Sequence, residues 1–372
     1  MPSPDAMAWQ GAEMERIRLG ILYGGRSGEH EVSCLSARNV IRAVDPERFS
    51  VVEIFINRDG SWFVQGQPAA LRLDQPGQAI FLVPGGEVIC DVLFPVLHGP
   101  YGEDGTVQGL FELLNVPYVG ADVLGSAVGM DKGVQKALLR ACGLPVVEFL
   151  VFPASRWRRD PEGVRRKIRE RIGYPCFVKP TRLGSSVGIH RVEAEGELAE
   201  AVEDALQYGL AAIVERAVPH PLEVEVSVLG NDDPIASLPG EIRPTHAFYT
   251  YEAKYLDPHG AELVIPASLP MELSERVQSL ALEAYRALQL CGMARVDFLV
   301  EQEGTVYVSE VNTIPGFTSI SMYPKLWEAS GIPYRELISR LVDLALERWR
   351  QKSALRTAYP GGEALARKEG MG

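Results

Sequence analysis

The sequence predicts an α/β protein whose later part is built from α+β units, and three observations carry that expectation. Short apolar, β-branched runs alternate with helical patterns over residues 1–130. From Asp131 onward the alternation gives way to mixed helix and strand segments, interrupted by a Gly/Ser-rich loop and a long polar loop. The length of 372 residues suggests two or three domains at roughly 150 residues each, enough to bury a core and leave a cleft of the kind small ligands occupy.

Lysine and arginine number 37 against 49 aspartates and glutamates. The resulting charge of −12 disfavours coating a nucleic-acid backbone unless the basic residues cluster, and it favours solubility. No stretch approaches the roughly 18–20 apolar residues of a membrane span. The N-terminal segment MPSPDAMAWQGAEMERIRLG carries acids and no apolar targeting core, so the expectation is a cytoplasmic protein that binds neither nucleic acid nor membrane. Cys34, Cys90, Cys142, Cys176 and Cys291 are odd in number and far apart, which argues for buried packing rather than a disulfide framework or a zinc ribbon. The 36 glycines and 26 prolines are spread along the chain and predict turns and shaped loops.

Each element has a local reason. Residues 17–23 (IRLGILY) form an apolar run ended by Gly24-Gly25, the pattern of a buried strand feeding a tight turn, and a helix should begin near Ser33. Similar runs at 51–56 and 92–97 complete a parallel α/β unit, whose ligand loops belong at the carboxyl ends of its strands. An α+β unit should follow: helix 132–142, strand 146–152, basic helix 161–172, strands 176–180 and 187–192, a helix near 197–207 and strand 211–215. A third region holds a strand at 222–229, a long loop at 243–261, a helix at 273–290 and a hairpin at 293–311. A last helix from 334 to about 348 leads into a tail expected to fray. The predicted domains are therefore 1–130, 131–216 and 217–350, with a tail at 351–372.

The hairpin ARVDFLV-EQEG-TVYVSEVN carries the most chemistry. If its four middle residues form the turn, Val300 faces Thr305, Arg295 faces Glu310, and Asp297 faces Val308. Alternation then places Arg295, Asp297, Glu310 and Asn312 on one face, with the two carboxylates as diagonal neighbours. Such an all-oxygen set suits Mg²⁺ or Mn²⁺ ions that share substrate phosphates, with Arg295 left to hold an anionic group. The plainer alternative is an exposed face carrying a surface salt bridge. The following loop, Thr313 to Ser319, contains a Pro-Gly turn that can offer backbone N–H groups beside that face.

In KPTRLGSSVG, a Gly/Ser loop between strands can close over a triphosphate while Lys179 and the earlier Lys132 neutralise charge. It is not a Walker A loop, and the chain lacks G-x-G-x-x-G. The loop does match G-x-S-x-G, so a serine hydrolase using Ser186 is an alternative, although a nucleophile elbow requires a helix where this pattern continues as a strand. Glu29 sits where the first strand meets its helix, placed either to receive a ligand ammonium or to serve the helix dipole with Ser33 as cap. His98, after the third strand, is either a structural hydrogen-bonder or a ligand contact. YEAKY, residues 251–255, lies in a long loop of the kind that forms lids.

Taken together, GGRSGEHEVS, LHGPYGEDG, MDK, FVKPTRLGSSVG, YEAKY, ARVDF and EVNTIPGFTSIS stand in the order seen in the D-alanine–D-alanine ligases of the ATP-grasp superfamily, which the chain resembles from about residue 17 to about residue 345. The N-terminal extension, the stretch near 156–169 and the C-terminal tail lie outside those motifs. The resemblance implies a three-domain ATP-grasp fold, with an N-terminal parallel α/β domain and two α+β domains clasping ATP. It implies two Mg²⁺ or Mn²⁺ ions on Asp297, Glu310 and Asn312, with Glu310 bridging. Lys132 and Lys179 would contact the nucleotide, Glu215 with its adjoining backbone the adenine, Glu223 (or Glu225) the ribose, and Lys254 the phosphates. Glu29 would hold the first substrate's ammonium, while Ser321 and the turn at Gly316 would serve the second substrate and the oxyanion. His98 and Arg295 join the substrate-binding set, and Ser185 and Tyr255 would link Glu29 to the closed lid.

That reading implies an ATP-dependent, ADP-forming ligation of two D-alanine molecules through an acyl phosphate, for peptidoglycan precursors and hence cell shape. The Lys254-Tyr255 pair resembles dipeptide-forming ligases rather than relatives that use D-lactate. A homodimer is a further expectation of the resemblance. A non-catalytic nucleotide-binding module on the same fold, and the Ser186 hydrolase, stay as alternatives.

Overall fold

The computed structural model describes residues 16–184, 187–244 and 261–356. Its first sheet is centred on Ile17–Gly24, which pairs in parallel with Phe49–Ile56 on one side and Val92–Pro95 on the other. Leu19, Ile21 and Leu22 have no exposed surface, as expected of a strand covered on both faces. The parallel centre matches the sequence pattern, but Trp62–Val64 and Gln67–Pro68 extend the sheet antiparallel. Ala70–Arg72, Ala79–Val83 and Gly86–Cys90 form a separate small sheet. These strands span two to five residues, too short for a period-two pattern to register.

The first helix, His30–Ala43, begins three residues earlier than expected and leaves Ser33 inside its first turn. Ser33 is not a cap. Its hydroxyl accepts from the Gly24 N–H at 2.8 Å and donates to the Val96 carbonyl at 2.5 Å, tying the tight turn to the third strand.

The second sheet is antiparallel, in the order His190–Val192, Cys176–Pro180, Ala211–Arg216, Phe149–Pro153. Helices Ala154–Arg159, Pro161–Arg171 and Leu198–Ala205 bury one face of it through Trp157, Val164, Ile168, Leu198 and Val202. The strand expected at 187–192 is limited to its last three residues, because Val187 and Gly188 form a turn in which Gly188 has φ +67°.

The third sheet runs Ala261–Val264, Gly240–Pro244, Leu222–Gly230, Gly292–Val300, Val306–Asn312, with Ile235–Ala236 paired to the third of these. Val224, Val226 and Val228, with Ala294, Val296 and Phe298, point into a core shared with helices Met271–Ala287 and Lys132–Ala141. Glu223, Glu225, Arg295 and Asp297 alternate with them and therefore lie on the opposite face.

The last helix, Tyr334–Ser353, returns to the first sheet: Leu337, Ile338, Leu341 and Val342 share one core with Leu19, Ile21, Val40 and Phe94. Arg348 on this helix donates to the carbonyl of Tyr118 at 2.8 Å and to that of Gly120. All five cysteines are free, with Cys90 and Cys176 buried. Cys142 is exposed, contrary to expectation, because it follows the helix Lys132–Ala141 at its outer end. Among the described residues no helix is long and apolar enough to cross a membrane.

Phe317 locks the loop after the hairpin against the first sheet. It is fully buried, edge-on to Phe94 at 5.8 Å and to Tyr323 at 5.6 Å, and stacked on Tyr334 at 6.3 Å between centroids. Replacing it by alanine removes these contacts and leaves a cavity, so Phe317→Ala should cost about 3–5 kcal/mol in denaturant unfolding. A loss below about 1 kcal/mol would show that the loop does not depend on this ring.

Candidate active site

The hairpin Gly292–Val300/Val306–Asn312 pairs Val300 with Val306, Leu299 with Tyr307 and Phe298 with Val308, not Val300 with Thr305 as the four-residue turn would require. Carried on unchanged, that register would send Glu310 into the core with Val306 and Val308. The register instead shifts between Asp297 and Phe298, leaving Ser309 as the extra residue of a β-bulge. Beyond it Asp297 directly faces Glu310 and Arg295 faces Asn312, while Val311 turns into the core. The four polar side chains share one face, with the carboxylates opposite rather than diagonal.

Each carboxylate on this face has a cation beside it. Arg295 donates from Nε to Asp297 Oδ1 and from Nη2 to Asp297 Oδ2, both at 2.7 Å, and its Nε lies 2.9 Å from Glu225 Oε2. Asn312 donates its amide to Asp297 Oδ2 at 3.0 Å. Lys132 Nζ reaches Glu310 Oε1 at 2.5 Å and the Leu183 carbonyl, at the start of the glycine-rich loop, at 2.8 Å.

A second charged group lies where the second sheet meets the helix Lys132–Ala141. Glu215 is 4% exposed and takes one lysine on each oxygen, Lys179 at 2.8 Å and Lys136 at 3.3 Å. Burial raises the Glu215 pKa, but the two lysines outweigh it and hold the carboxyl below its usual range. For Lys136 burial wins and lowers the pKa. For Lys179 burial also lowers it, but Glu215, helped by Glu310 and Glu223, carries it above the ordinary lysine value. Glu223 adds to the negative field felt by Lys179, whereas Glu225, two residues on along the same face, is engaged by Arg295.

Glu29 stands at the N-terminus of the first helix, 6% exposed, with its N–H donated to Ser27 Oγ, which in turn donates to the His98 carbonyl. Its carboxylate is packed between two glycines. A Cβ on Gly99, which has φ +76°, would lie 2.5 Å from Glu29 Oε2, and one on Gly184 would lie 3.0 Å from both oxygens. His98 lines the cleft with both ring nitrogens engaged, Nδ1 at 3.1 Å from the Ile314 carbonyl and Nε2 at 3.1 Å from Ser36 Oγ. Facing a carbonyl, Nδ1 carries the proton. Glu103 accepts from the Gly99 N–H at 2.7 Å and the Ile314 N–H at 3.2 Å. Desolvation, with Glu29 nearby, pushes its carboxyl up to about 8. At the far end, Ser321 Oγ accepts from the Thr318 N–H at 2.9 Å, and a Cβ on Gly316 would approach it to 2.6 Å.

One cleft therefore brings together Glu29, His98, Lys132, Arg295, Asp297, Glu310, Asn312, Gly316 and Ser321. Lys179, Glu215 and Glu223 do not line it; they lie beyond Lys132, on the second and third sheets. Ser185, Ser186, Lys254 and Tyr255 are outside the described residues. The loop bearing Ser186 runs into a turn and then the strand His190–Val192, with no helix, so the strand–turn–helix context of a nucleophile elbow is absent. Sequence reasoning missed Glu103, Gln135 and Lys136, and named Glu225 only as an alternative to Glu223. Helical spacing from Lys132, at i+3 and i+4, was available to find Gln135 and Lys136.

Lysines from two elements on one side and a carboxylate–amide hairpin on the other, set between antiparallel α+β sheets, define an ATP-grasp ligase. Residues 18–121 match the family model for the D-ala D-ala ligase N-terminus and residues 138–343 that for its C-terminus. The chain is 48% identical over 357 residues to the D-alanine–D-alanine ligase of Heliobacterium modesticaldum, covering 91% of this chain and 97% of that one. Among solved structures, the D-alanine-D-alanine ligase from Coxiella burnetii superposes with a TM-score of 0.82 at 36% identity, over 91% of this chain and 96% of that one. VanG D-Ala:D-Ser ligase from Enterococcus faecalis gives 0.79 at 33%, over 89% and 100%. The chain belongs to the D-alanine–D-alanine ligase family and is an enzyme of the ligase class.

Burial lowers the His98 pKa from 6.5 to about 4. As pH falls below 6.5 the unfolded chain takes up this proton first, so the stability present above that pH is lost progressively down to about 4. Denaturant midpoints over this window should fall more steeply in the wild type than in His98→Asn. Equal slopes would mean that the imidazole titrates normally in the fold.

Proposed function

We propose that this ligase joins two D-alanine molecules at the expense of ATP, forming ADP, phosphate and the dipeptide used for peptidoglycan precursors. ATP is held between the second and third sheets. Lys132 and Lys179 lie toward its phosphates, with Lys254 from the 245–260 segment. Glu215 and the adjoining backbone meet the adenine, and Glu223 the ribose. The support for Glu223 over its neighbour Glu225 is the latter's ion pair with Arg295.

Asp297, Glu310 and Asn312 fit two Mg²⁺ or Mn²⁺ ions by the chemistry of the donor set: two carboxylates and an amide, hard ligands on facing strands beside the lysines of the nucleotide side. When bound, such ions would neutralise phosphate charge and polarise the γ-phosphoryl group. The chain's own residues do the rest. Glu29 receives the ammonium of the first D-alanine, so that the carboxylate oxygen of that alanine attacks the γ-phosphorus and ADP leaves. Arg295 balances charge on the transferring group. The neutral amine of the second D-alanine, seated by Ser321 and His98, then attacks the acyl-phosphate carbonyl, with Arg295 and the Gly316 turn serving the oxyanion until phosphate leaves. Ser185 and Tyr255 close the lid and exclude water from the acyl phosphate.

We further assign the domains as 1–130, 131–216 and 217–350, with a tail at 351–372, and a cytoplasmic homodimer as the working form. The observation that carries the functional reading is the direct opposition of Asp297 and Glu310 beside Asn312 and Lys132. Phosphate release from ATP should require both D-alanine and Mg²⁺, and Glu310→Gln should lower it by about 100-fold or more. Amino-acid-independent release, or a Glu310→Gln enzyme near wild-type rate, would overturn the reading.

A further inference from the structure

The bulge that sets the face of Glu310 is clamped by one side of one helix. Ser309 is the residue left over when the ladder shifts register, and Lys136 Nζ donates to its carbonyl at 2.8 Å. One position earlier on the helix Lys132–Ala141, Gln135 donates to the Val311 carbonyl and accepts from the Val311 N–H, both at 3.0 Å. One turn earlier again, Lys132 binds Glu310 itself. Residues i, i+3 and i+4 thus grip three consecutive residues of the strand. Lys136 has a second partner in Glu215, whose other oxygen holds Lys179. Its side chain is only 1% exposed, so no solvent replaces either bond.

We propose that Lys136 is a positioning residue that holds the Ser309 bulge in register and joins it to the Glu215–Lys179 pair, so that the divalent-cation face and the nucleotide side are fixed relative to each other. This rests on the functional reading above. Burying an ammonium is unfavourable unless it is fully engaged, and a leucine or methionine would pack the same volume without that penalty. A lysine here is accounted for by the two acceptors it joins. The absence of direct contact with the cleft face means that its effect reaches substrate only through Glu310 and Glu215.

The test measures Mn²⁺ binding in the presence of ADP, from the free-Mn²⁺ electron paramagnetic resonance signal, in the full-length wild type, Lys136→Met and Asp297→Asn. Lys136→Met should bind Mn²⁺ about tenfold more weakly, as loss of an outer support does at other metal sites. Its KM for ATP should rise and kcat fall, with KM for D-alanine unchanged. Wild-type Mn²⁺ affinity in Lys136→Met, alongside a loss in Asp297→Asn, would overturn the proposal and leave the metal reading standing. Wild-type affinity in Asp297→Asn would overturn both. If Lys136→Met does not fold, Lys136→Gln keeps an N–H for Ser309 but loses the charge opposite Glu215. It should weaken Mn²⁺ binding in the same direction, and unchanged affinity would refute the proposal.

Discussion

A strand sends successive side chains to opposite faces, so the cleft face of Val306–Asn312 is a matter of parity. Val306, Val308 and Val311 are buried, which is not a period-two series; one residue must be absorbed between 308 and 311. Ser309 is that residue, and without its bulge either the valines or Glu310 and Asn312 would sit on the wrong side. The carboxylates meet because the core requires three valines and the strand accommodates them with one extra residue. The cost is an unpaired stretch of backbone, met by Gln135 and Lys136 from the neighbouring helix. Helix and hairpin are in this sense one unit, although a hundred and more residues separate them in the chain.

The substrate side is built by a different device, convergence of loops on rigid elements. Glu29 is fixed by the first helix, and the segment around His98 by the end of the third parallel strand. Both are then tied to the loop after the hairpin: His98 and Glu103 bond the carbonyl and the N–H of Ile314, and Ser36 joins His98 to the Phe317 N–H. These links use neutral or desolvated groups, and burial keeps them that way, lowering the pKa of His98 and raising that of Glu103. In a charged imidazole Nδ1 would still donate to the Ile314 carbonyl, but Nε2 would no longer accept from the Ser36 hydroxyl. The first and third sheets are therefore joined at the cleft itself and again through the core shared with Tyr334–Ser353.

Most of the long elements were legible in the sequence, because burial on one or two faces leaves a period. The strands at 17–24, 49–56, 176–180 and 222–230 are of this kind. What was not legible has specific causes. The short strands between 62 and 90 contain too few residues to show a period. A turn of five residues and a bulge together mimic the alternation of a turn of four, but only beyond the bulge: Glu310 and Asn312 take the face expected of them, whereas Val306 and Val308 turn into the core and the facing partners differ throughout. Ser33 carries the signature of a helix cap, yet its hydroxyl is used between Gly24 and Val96, a contact no local pattern reveals. Lys136 lies outside the MDK motif, although helical geometry puts it, at i+4 from Lys132, on the same face.

The charge balance of the cleft explains why its cations matter. Among the described residues lining it are five acids, Glu29, Glu103, Glu225, Asp297 and Glu310, against Lys132 and Arg295, with His98 held neutral. Even with Glu103 protonated, such a lining attracts an ammonium and repels a triphosphate. On the proposed reading an amino-acid ammonium would satisfy the Glu29 end. At the other end, Arg295 and Lys132 are already engaged by Asp297, Glu225 and Glu310, and a nucleotide would have to arrive with positive charge of its own or free one of these side chains. Divalent ions on the hairpin would do both, since an ion that takes over Asp297 and Glu310 releases Arg295 and Lys132 toward phosphate oxygens. Such partly buried ion pairs contribute little net stability. On the proposed reading they would hold Arg295 and Lys132 at the cleft until a substrate engages them.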